Sequence, residues 1–300
     1  MNEPVDVSLP ALLDPLCERF EPAMAEWLAD GQVPAELAEV MRYACGGGGK
    51  RLRPALVMLS AEAVADEPRW RADPLPAAVA VEMVHCYSLV HDDLPSMDDD
   101  TLRRGRPTVH VQFGEAMAIL AGDALLTRAF EVLVRGTPDA ALAAALVAEL
   151  AAGGGPAGMI AGQVADMALC QVPPGPDGRE YIHLRKTAAL IRAAVRMGGT
   201  CAGADEARLD ALGEFGQKTG LAFQIADDLL DATGSAGALG KTPGKDAQAG
   251  KRTYAAEMDL DRAGAHIAEL TDQACGALEI LGPRADRLRQ LGRLLVGRRR

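Results

Sequence analysis

Two aspartate-rich segments each follow a strongly apolar stretch of the sequence. The first, His91–Asp100, contains five aspartates, and the second, Gln224–Asp231, contains three. Like charges repel, and the carboxyl end of a helix carries partial negative charge, so such clusters at helix ends favour bound cations. Carboxylate oxygens are the ligands that Mg²⁺ uses together with phosphate groups. The two segments therefore predict a site for divalent cations and a phosphorylated ligand.

The second segment has the simpler geometry. Asp227 and Asp231 are four residues apart, so they share one face of a helix. Taken alone, this segment is equally well explained as a solvated helix end. A Ca²⁺ loop of the EF-hand type needs acids at alternating positions and a central glycine, and neither segment has that pattern.

The first segment leaves one question open. Asp92 and Asp98 are six residues apart, which would place them about 120° apart on a straight helix. Pro95 lies between them and disfavours a straight continuation. The spacing alone does not decide whether Asp98, Asp99 or Asp100 turns back toward Asp92.

Basic residues recur beside glycine-rich turns, where backbone N–H groups are exposed. Lysine and arginine in such places suit phosphate oxygens, although any single one is more simply a solvated surface charge. Lys186 interrupts an apolar helical run, and a lysine on such a face usually has an anionic partner. Carboxylates, cations and apolar helices together predict a diphosphate ester of a hydrocarbon as the ligand. These basic residues include Lys50, Arg53, Arg103, Arg104, Lys186, Lys241 and Lys251.

The elements that must position these residues are helices. The chain has 300 residues, and 49% are hydrophobic but only 4% aromatic, which favours packed helices over a β-sandwich. Apolar residues recur at three-to-four spacing in about ten stretches separated by Gly/Pro breaks, and no strand alternation stands out. We therefore predict an all-α fold, with residues 1–300 forming one domain.

The charge and cysteine content exclude several classes. The net charge of −11 argues against a dedicated nucleic-acid binder. The six cysteines form no CxxC pair, so we expect free thiols in a reducing compartment. The N-terminus has no signal-peptide pattern, and the stretch Ala140–Ala152 is too short and broken for a membrane span. We expect a cytoplasmic protein without a membrane span.

The order of the motifs along the chain resembles that of the bacterial trans-prenyltransferases (polyprenyl diphosphate synthases). The likeness covers about two-thirds of the chain and is far more specific than a single DDxxD would be. The matching segments are Gly48–Pro54, Glu82–Pro95, Leu102–Gly105, Ala121–Leu125, Gly162-Gln163, His183–Thr187, Phe223–Asp231 and Gly250–Tyr254.

The resemblance implies an isoprenoid synthase fold, with helices around a central cavity and the Asp motifs at its mouth. It also implies isoprenoid diphosphates as substrates, three Mg²⁺ ions and a homodimer. The implied metal-site residues are Asp92, Asp93, Asp98, Asp227, Asp228 and Asp231. The implied isopentenyl diphosphate site is Lys50, Arg53, His85 and Arg104. The implied allylic diphosphate site is Arg103, Lys186, Thr187, Gln224, Lys241 and, in a closing loop, Lys251.

The resemblance also implies the order of the chemistry. Mg²⁺ and cationic side chains stabilise charge on the departing diphosphate, and an allylic cation forms in a cavity shielded from water. Isopentenyl diphosphate is held against that cation, and a proton is then lost to the released diphosphate.

Product length is expected to depend on Tyr87 and Ser88. They precede Asp92 by five and four residues, and five residues span about 7.5 Å of helix, on the order of a C5–C10 unit of tail. An aromatic ring there, with the longer first motif from Asp92 to Asp98, resembles bacterial farnesyl diphosphate synthases. We therefore expect a C15 product, with geranylgeranyl diphosphate (C20) as the alternative.

Three other classes fit less well. A terpene cyclase on the same fold typically replaces the second Asp motif and has no use for Lys50, Arg53 and His85. A non-catalytic regulatory subunit usually lacks an Asp motif, and both are intact here. A purely structural helical protein would leave the paired Asp segments unexplained.

Overall fold

The computed structural model describes residues 8–29, 31–66, 69–172, 176–232 and 260–297. This part of the chain is almost entirely helical, which confirms the predicted all-α class. Its α-helices are α1 Leu9–Trp27, α2 Ala35–Gly46, α3 Leu52–Val64, α4 Leu75–Asp92, α5 Val109–Phe113, α6 Glu115–Gly136, α7 Ala140–Gly154, α8 Met159–Asp166, α9 Pro176–His183, α10 Ala189–Cys201, α11 Glu206–Ala232, α12 Leu260–Ala277 and α13 Asp286–Val296. A π-helical turn, Leu184–Ala188, joins α9 to α10, and a 3₁₀ segment, Leu278–Ala285, joins α12 to α13.

Helix α4 lies at the centre of the fold. Its sequence is apolar on every side, and eleven of its 18 residues are buried, so it can only be stable when other helices surround it. Helices α1, α2, α3, α6 and α10 pack against it. The last residue of this buried helix is Asp92, so the first acidic segment begins where the core ends.

Helix α11 carries the second acidic segment near its C-terminal end. It runs for 27 residues and packs against α10, α12 and the π-helical turn. The π-helical turn in turn packs against α8 and α9. A π-helical turn widens the backbone locally and is frequent at functional sites. Here it lies between the two acidic segments, as the side-chain contacts below show.

A two-stranded hairpin follows the first acidic segment. Strand β1 (Leu102–Arg103) pairs antiparallel with β2 (Arg106–Pro107) through the tight turn at Arg104 and Gly105. Both turn residues have positive φ, 52° and 74°, as tight hairpin turns require. Strands of two residues are too short to show alternation, which is why the sequence gives no sign of them.

One helical stretch, Ala140–Asp166, is apolar and long enough to cross a membrane by length and composition alone. One such stretch is weak evidence for a span. The backbone leaves helical geometry at Gly155 and Gly158, which divides the stretch into α7 and α8. The expectation of no membrane span stays a prediction.

Candidate active site

The chain doubles back immediately after α4. The backbone N–H of Asp98 donates to the carbonyl of Asp92 at 2.8 Å, and that of Asp99 donates to the carbonyl of Leu94 at 3.1 Å. Asp99 takes a left-handed conformation (φ 49°) and is exposed. The turn therefore places Asp98 beside Asp92, the choice that spacing alone left open.

Asp92 has an unusual protonation equilibrium. Burial raises the pKa of its carboxyl to about 6; the positive charge of Lys186 opposes this effect, and the negative charge of Asp98 adds to it. The pKa shift shows that these three groups share one environment. Two partly buried carboxylates side by side form a site where a bound cation would be strongly favoured.

Asp93 points into a different environment. Its buried carboxylate accepts hydrogen bonds from Arg103, whose Nε lies 2.9 Å from both oxygens and whose Nη2 lies 2.6 Å from Oδ1. Asp100 lies 4.0 Å from the same guanidinium. The two residues predicted for different ligands, Asp93 for metal and Arg103 for the allylic diphosphate, are thus joined directly here, and both assignments stay predictions.

Lys186 has the anionic partner that its apolar surroundings required. Its Nζ donates to Asp166 Oδ2 at 2.6 Å across from α8. Helix α8 can come this close because Gly162 has no side chain, and a Cβ there would collide with the backbone of Lys186. Sequence reasoning missed Asp166. The signal was available, since Asp166 is the only acidic residue of α8.

A hydrogen-bonded chain connects the π-helical turn to α11. Thr187 Oγ1 donates to Gln224 Oε1 at 2.8 Å, and Gln224 Nε2 donates to Asp228 Oδ1 at 3.5 Å. His183 Nε2 lies 3.1 Å from Asp228 Oδ2. No motif in the sequence links His183 to the second acidic segment. These hydrogen bonds fix the rotamers of Thr187 and Gln224, both of which are predicted for the allylic diphosphate site.

The remaining predicted residues on this side are only partly described. Asp227 is half-buried near the end of α11. Asp231 belongs to the last turn of α11, but its side chain lies outside the described residues. Lys241 and Lys251 also lie outside the described residues.

A basic cluster forms between α3, α4 and the hairpin. Burial, together with the charges of Arg53 and Arg104, holds the pKa of His85 well below 6.5, so this imidazole is neutral at pH 7. Burial and the charge of Arg104 likewise lower the pKa of Arg53. Within the described residues, the buried Nε of Arg53 has no hydrogen-bond partner. Two arginines, one unpaired buried N–H and a neutral imidazole form a cluster that an anion would complete.

The glycine-rich loop before α3 packs on the hairpin. Arg104 donates a hydrogen bond to the carbonyl of Gly48. Gly49 has φ 132°, and a Cβ there would collide with the Arg104 guanidinium. Glycine is therefore required at this point. Lys50 follows directly and is exposed, so its ammonium can reach a ligand from the loop.

Tyr87 and Ser88 lie one to two turns below Asp92 on α4. Tyr87 is 6% exposed and contacts His91 edge-to-face, with ring centroids 5.7 Å apart. His91 Nε2 lies 3.1 Å from the carbonyl of Ile119, and its ring lies against Gly122 on α6. The Ser88 hydroxyl donates to the carbonyl of His85 at 2.9 Å. The Tyr87 ring therefore packs against His91, which in turn contacts α6.

The donor set fits Mg²⁺. Among the described residues, no three His, Cys, Asp or Glu side chains are grouped closely enough to hold a metal ion by themselves. Mg²⁺ does not need such a group, because it keeps several waters and is usually bound by one or two carboxylates plus substrate phosphates. Asp92 and Asp98, with hard oxygen donors and excess negative charge, supply that kind of site.

Comparison with known proteins gives similarities over nearly the whole chain. A family model described as polyprenyl synthetase matches residues 34–277. A probable farnesyl diphosphate synthase of Bradyrhizobium diazoefficiens is 47% identical over 279 residues, which is 91% of this chain and 83% of that protein. Geranylgeranyl pyrophosphate synthase 11 of Arabidopsis thaliana is 44% identical over 85% of this chain and 72% of its own length. The structure of a Helicobacter pylori geranyltransferase complexed with magnesium and isoprenyl diphosphate matches with a TM-score of 0.81 and 31% identity, covering 98% of both chains.

Proposed function

The chain belongs to the polyprenyl synthetase family, as its motifs predict, and we propose that this prenyltransferase is a farnesyl diphosphate synthase. It would condense isopentenyl diphosphate head-to-tail (1′-4) with dimethylallyl or geranyl diphosphate, giving C15 (2E,6E)-farnesyl diphosphate and diphosphate. The observation that supports the proposal is that charged and polar side chains form two separate clusters, each of which we call an anion site because it suits one diphosphate. One combines Asp92, Asp98 and Lys186, and the other combines Arg53 and His85.

The first site suits the allylic substrate, whose diphosphate departs. Mg²⁺ bound there would neutralise charge on that leaving group, and we propose three ions, as the family resemblance implies. The residues assigned to hold them are Asp92, Asp93, Asp98, Asp227, Asp228 and Asp231. The cationic groups assigned to grip the same diphosphate are Arg103, Lys186, Lys241 and Lys251.

The second site suits isopentenyl diphosphate, which keeps its diphosphate through the reaction. Lys50, Arg53 and Arg104 supply positive charge, and the unpaired Arg53 Nε supplies a donor. His85 is neutral, so it donates one hydrogen bond without adding to the repulsion among the arginines. This arrangement binds an anion tightly and has no group aimed at breaking a bond.

One side chain of the π-helical turn and one of α11 act at the reacting carbon. The Thr187 hydroxyl and the Gln224 amide are already hydrogen-bonded to each other, so their dipoles are fixed before the allylic cation develops. Helix α4 and its apolar neighbours exclude water, which would otherwise quench the cation. In the described part of the site no side chain is positioned as an obvious base, and the proton lost at the end goes to the released diphosphate.

We place the hydrocarbon tail beside α4, running from Asp92 toward Tyr87. The buried Tyr87 ring would stop growth after the C15 product. A geranylgeranyl diphosphate synthase is the alternative, since relatives of that kind are also similar to this chain. The difference between the two depends on the space beyond Tyr87.

We also propose a homodimer. Large apolar side chains are exposed on α6, at Ile119, Leu120 and Val134. A second copy covering this face would remove them from water. Light scattering after gel filtration should give twice the mass of 31.4 kDa.

The direct test of the function is product analysis. Purified protein should elongate geranyl diphosphate with isopentenyl diphosphate to a C15 diphosphate when Mg²⁺ is present, and should not do so with excess EDTA. Mass spectrometry of the dephosphorylated products fixes the chain length. The proposal is refuted if no elongation occurs with either dimethylallyl or geranyl diphosphate.

A matched pair of variants tests the role of the first acidic segment. Asp98→Asn should lower kcat by about 100-fold, because it removes charge from the cation site. Asp99→Asn should change kcat by no more than about twofold, since Asp99 is exposed and asparagine tolerates its left-handed backbone. Equal effects of the two substitutions would contradict the assignment.

A further inference from the structure

Arg51 is a buried cation that the mechanism above does not use. It lies in sequence between Lys50 and Arg53, but it is only 5% exposed. Its backbone is left-handed (φ 48°, ψ 42°), a conformation that is unfavourable for a non-glycine residue. Such a conformation persists only when the surroundings hold it in place.

Three acceptors from three different helices surround the Arg51 guanidinium. Nε donates to Glu21 of α1 at 2.7 Å, and Nη1 donates to Glu82 of α4 at 3.0 Å. Nη2 donates to the carbonyl of Cys45 in the last turn of α2 at 2.8 Å. Although burial opposes the charge, Glu21 and Glu82 raise the pKa of Arg51 above its usual value. This side chain therefore fixes the start of α3 relative to α1, α2 and α4.

The contact with α4 has a direct consequence for the second anion site. Glu82 lies three residues before His85, one turn away on the same helix. Arg53 lies two residues after Arg51, at the start of α3. The ion pair between Arg51 and Glu82 therefore sets the separation of Arg53 from His85. The charge of Glu82 also favours the protonated form of Arg53.

We propose that Arg51 is a positioning residue for the isopentenyl diphosphate site, acting through Lys50, Arg53 and His85. Its buried guanidinium is hydrogen-bonded to Glu21, Glu82 and the Cys45 carbonyl and faces other helices, so we infer that it does not itself touch the ligand. The identity of the ligand rests on the proposed function; the positioning role rests on the contacts of Arg51. Removing the charge of Glu21 or Glu82, the two carboxylates that bind Arg51, should loosen the isopentenyl diphosphate site. The allylic site, with Lys186 and Asp98, should be unchanged.

Glu21→Gln is the most selective perturbation. Glu21 is half exposed, so the variant keeps its shape and should fold. A matched control exists at Arg196, a buried arginine on α10 whose Nε donates to Glu149 Oε1, also at 2.7 Å. Arg196 is ten residues beyond Lys186, about 15 Å along the helix. Glu149→Gln removes the same kind of ion pair away from both anion sites.

The readouts are steady-state kinetics and calorimetric titration with isopentenyl diphosphate. For Glu21→Gln we expect KM and Kd for isopentenyl diphosphate to rise about tenfold, with KM for geranyl diphosphate within about twofold. Glu149→Gln should leave all three constants within about twofold. The proposal is overturned if Glu21→Gln leaves Kd for isopentenyl diphosphate unchanged, or if both KM values rise together.

The two proposals fail in different ways. If the wild-type protein binds isopentenyl diphosphate but forms no elongated product, the proposed function is wrong, and the Kd comparison still decides the role of Arg51. If the wild-type protein does not bind isopentenyl diphosphate at all, both proposals are wrong. Arg51→Lys keeps the positive charge but cannot bind all three partners of the guanidinium at once. It should weaken the binding of isopentenyl diphosphate at least as much as Glu21→Gln does.

Discussion

Replacing Tyr87 by alanine should lengthen the product from C15 to C20. Tyr87 is 6% exposed and is held by His91, which is itself fixed on α6 by Ile119 and Gly122. The ring cannot move aside to admit a longer tail without disturbing that contact. Removing it opens space five residues below Asp92, about 7.5 Å along α4.

The size of the effect can be worked from burial. An additional isoprene unit has five carbons, and burying each contributes about 0.8 kcal/mol, so the new space stabilises a longer tail by up to about 4 kcal/mol. This free energy corresponds to a change of up to about a thousandfold in the ratio of C20 to C15 product. The empty space also destabilises the fold by about 3–5 kcal/mol, as for other aromatic-to-alanine changes in cores. At about 2–4 °C per kcal/mol, Tm should fall by about 6–20 °C, so the assay belongs at low temperature.

The assay is product analysis with geranyl diphosphate and excess isopentenyl diphosphate. Tyr87→Ala should give mainly C20, whereas Tyr87→Phe keeps the ring and should still give C15. Phe215→Leu is the control for instability, because Phe215 is fully buried on α11, about 18 Å along that helix from Asp227. It should lower Tm without changing the product. An unchanged C15 product from Tyr87→Ala would refute the reasoning, and so would a C20 product from Phe215→Leu.

Two further changes test the packing of the site. Gly162→Ala should lower kcat at least tenfold, because the new Cβ collides with the backbone of Lys186 and displaces the π-helical turn; the control Gly276→Ala has open space around its Cβ and should leave kcat unchanged. Burial holds the pKa of His85 below 6.5, so the unfolded chain takes up a proton that the folded chain excludes, and stability is lost as the pH falls below about 6.5. In urea unfolding between pH 8 and 5, the free energy of unfolding should fall less steeply with decreasing pH for His85→Gln than for the wild type. An equal dependence on pH in the two proteins would contradict the buried, neutral state of His85.

The sequence could predict the helices and their acidic ends because both depend on local patterns. Three-to-four apolar spacing marks α4 and α11, and a run of aspartates after such a stretch needs no tertiary information. The direction of the chain after α4 was different. It depends on the left-handed backbone of Asp99 and on two carbonyl acceptors, at Asp92 and Leu94. No local propensity of aspartate dictates that turn, so spacing left three candidates.

The ion-pair partners of the site residues were harder to predict from the sequence than the site residues themselves. The position of Lys186 on an apolar face predicted that an anion must be close, and one is, but only packing could bring Asp166 there from α8. Arg51 shows the same limit more strongly. In the sequence it looks like a third phosphate-binding cation in a basic run, and only its contacts with Glu21 and Glu82 distinguish it from Lys50 and Arg53.

The way the site balances its own charge bears on how it would respond to ligands. Three of its anions are held by internal cations: Asp93 by Arg103, Asp166 by Lys186 and Asp228 by His183, the last when protonated. Adding a diphosphate would give the cations a stronger partner, and the carboxylates released would then be available to divalent ions. We therefore expect each ligand to raise the affinity for the other, which is positive coupling in the thermodynamic sense. The net charge of −11 is no obstacle to an anionic substrate, since the exchange is local and leaves the rest of the acidic surface unchanged.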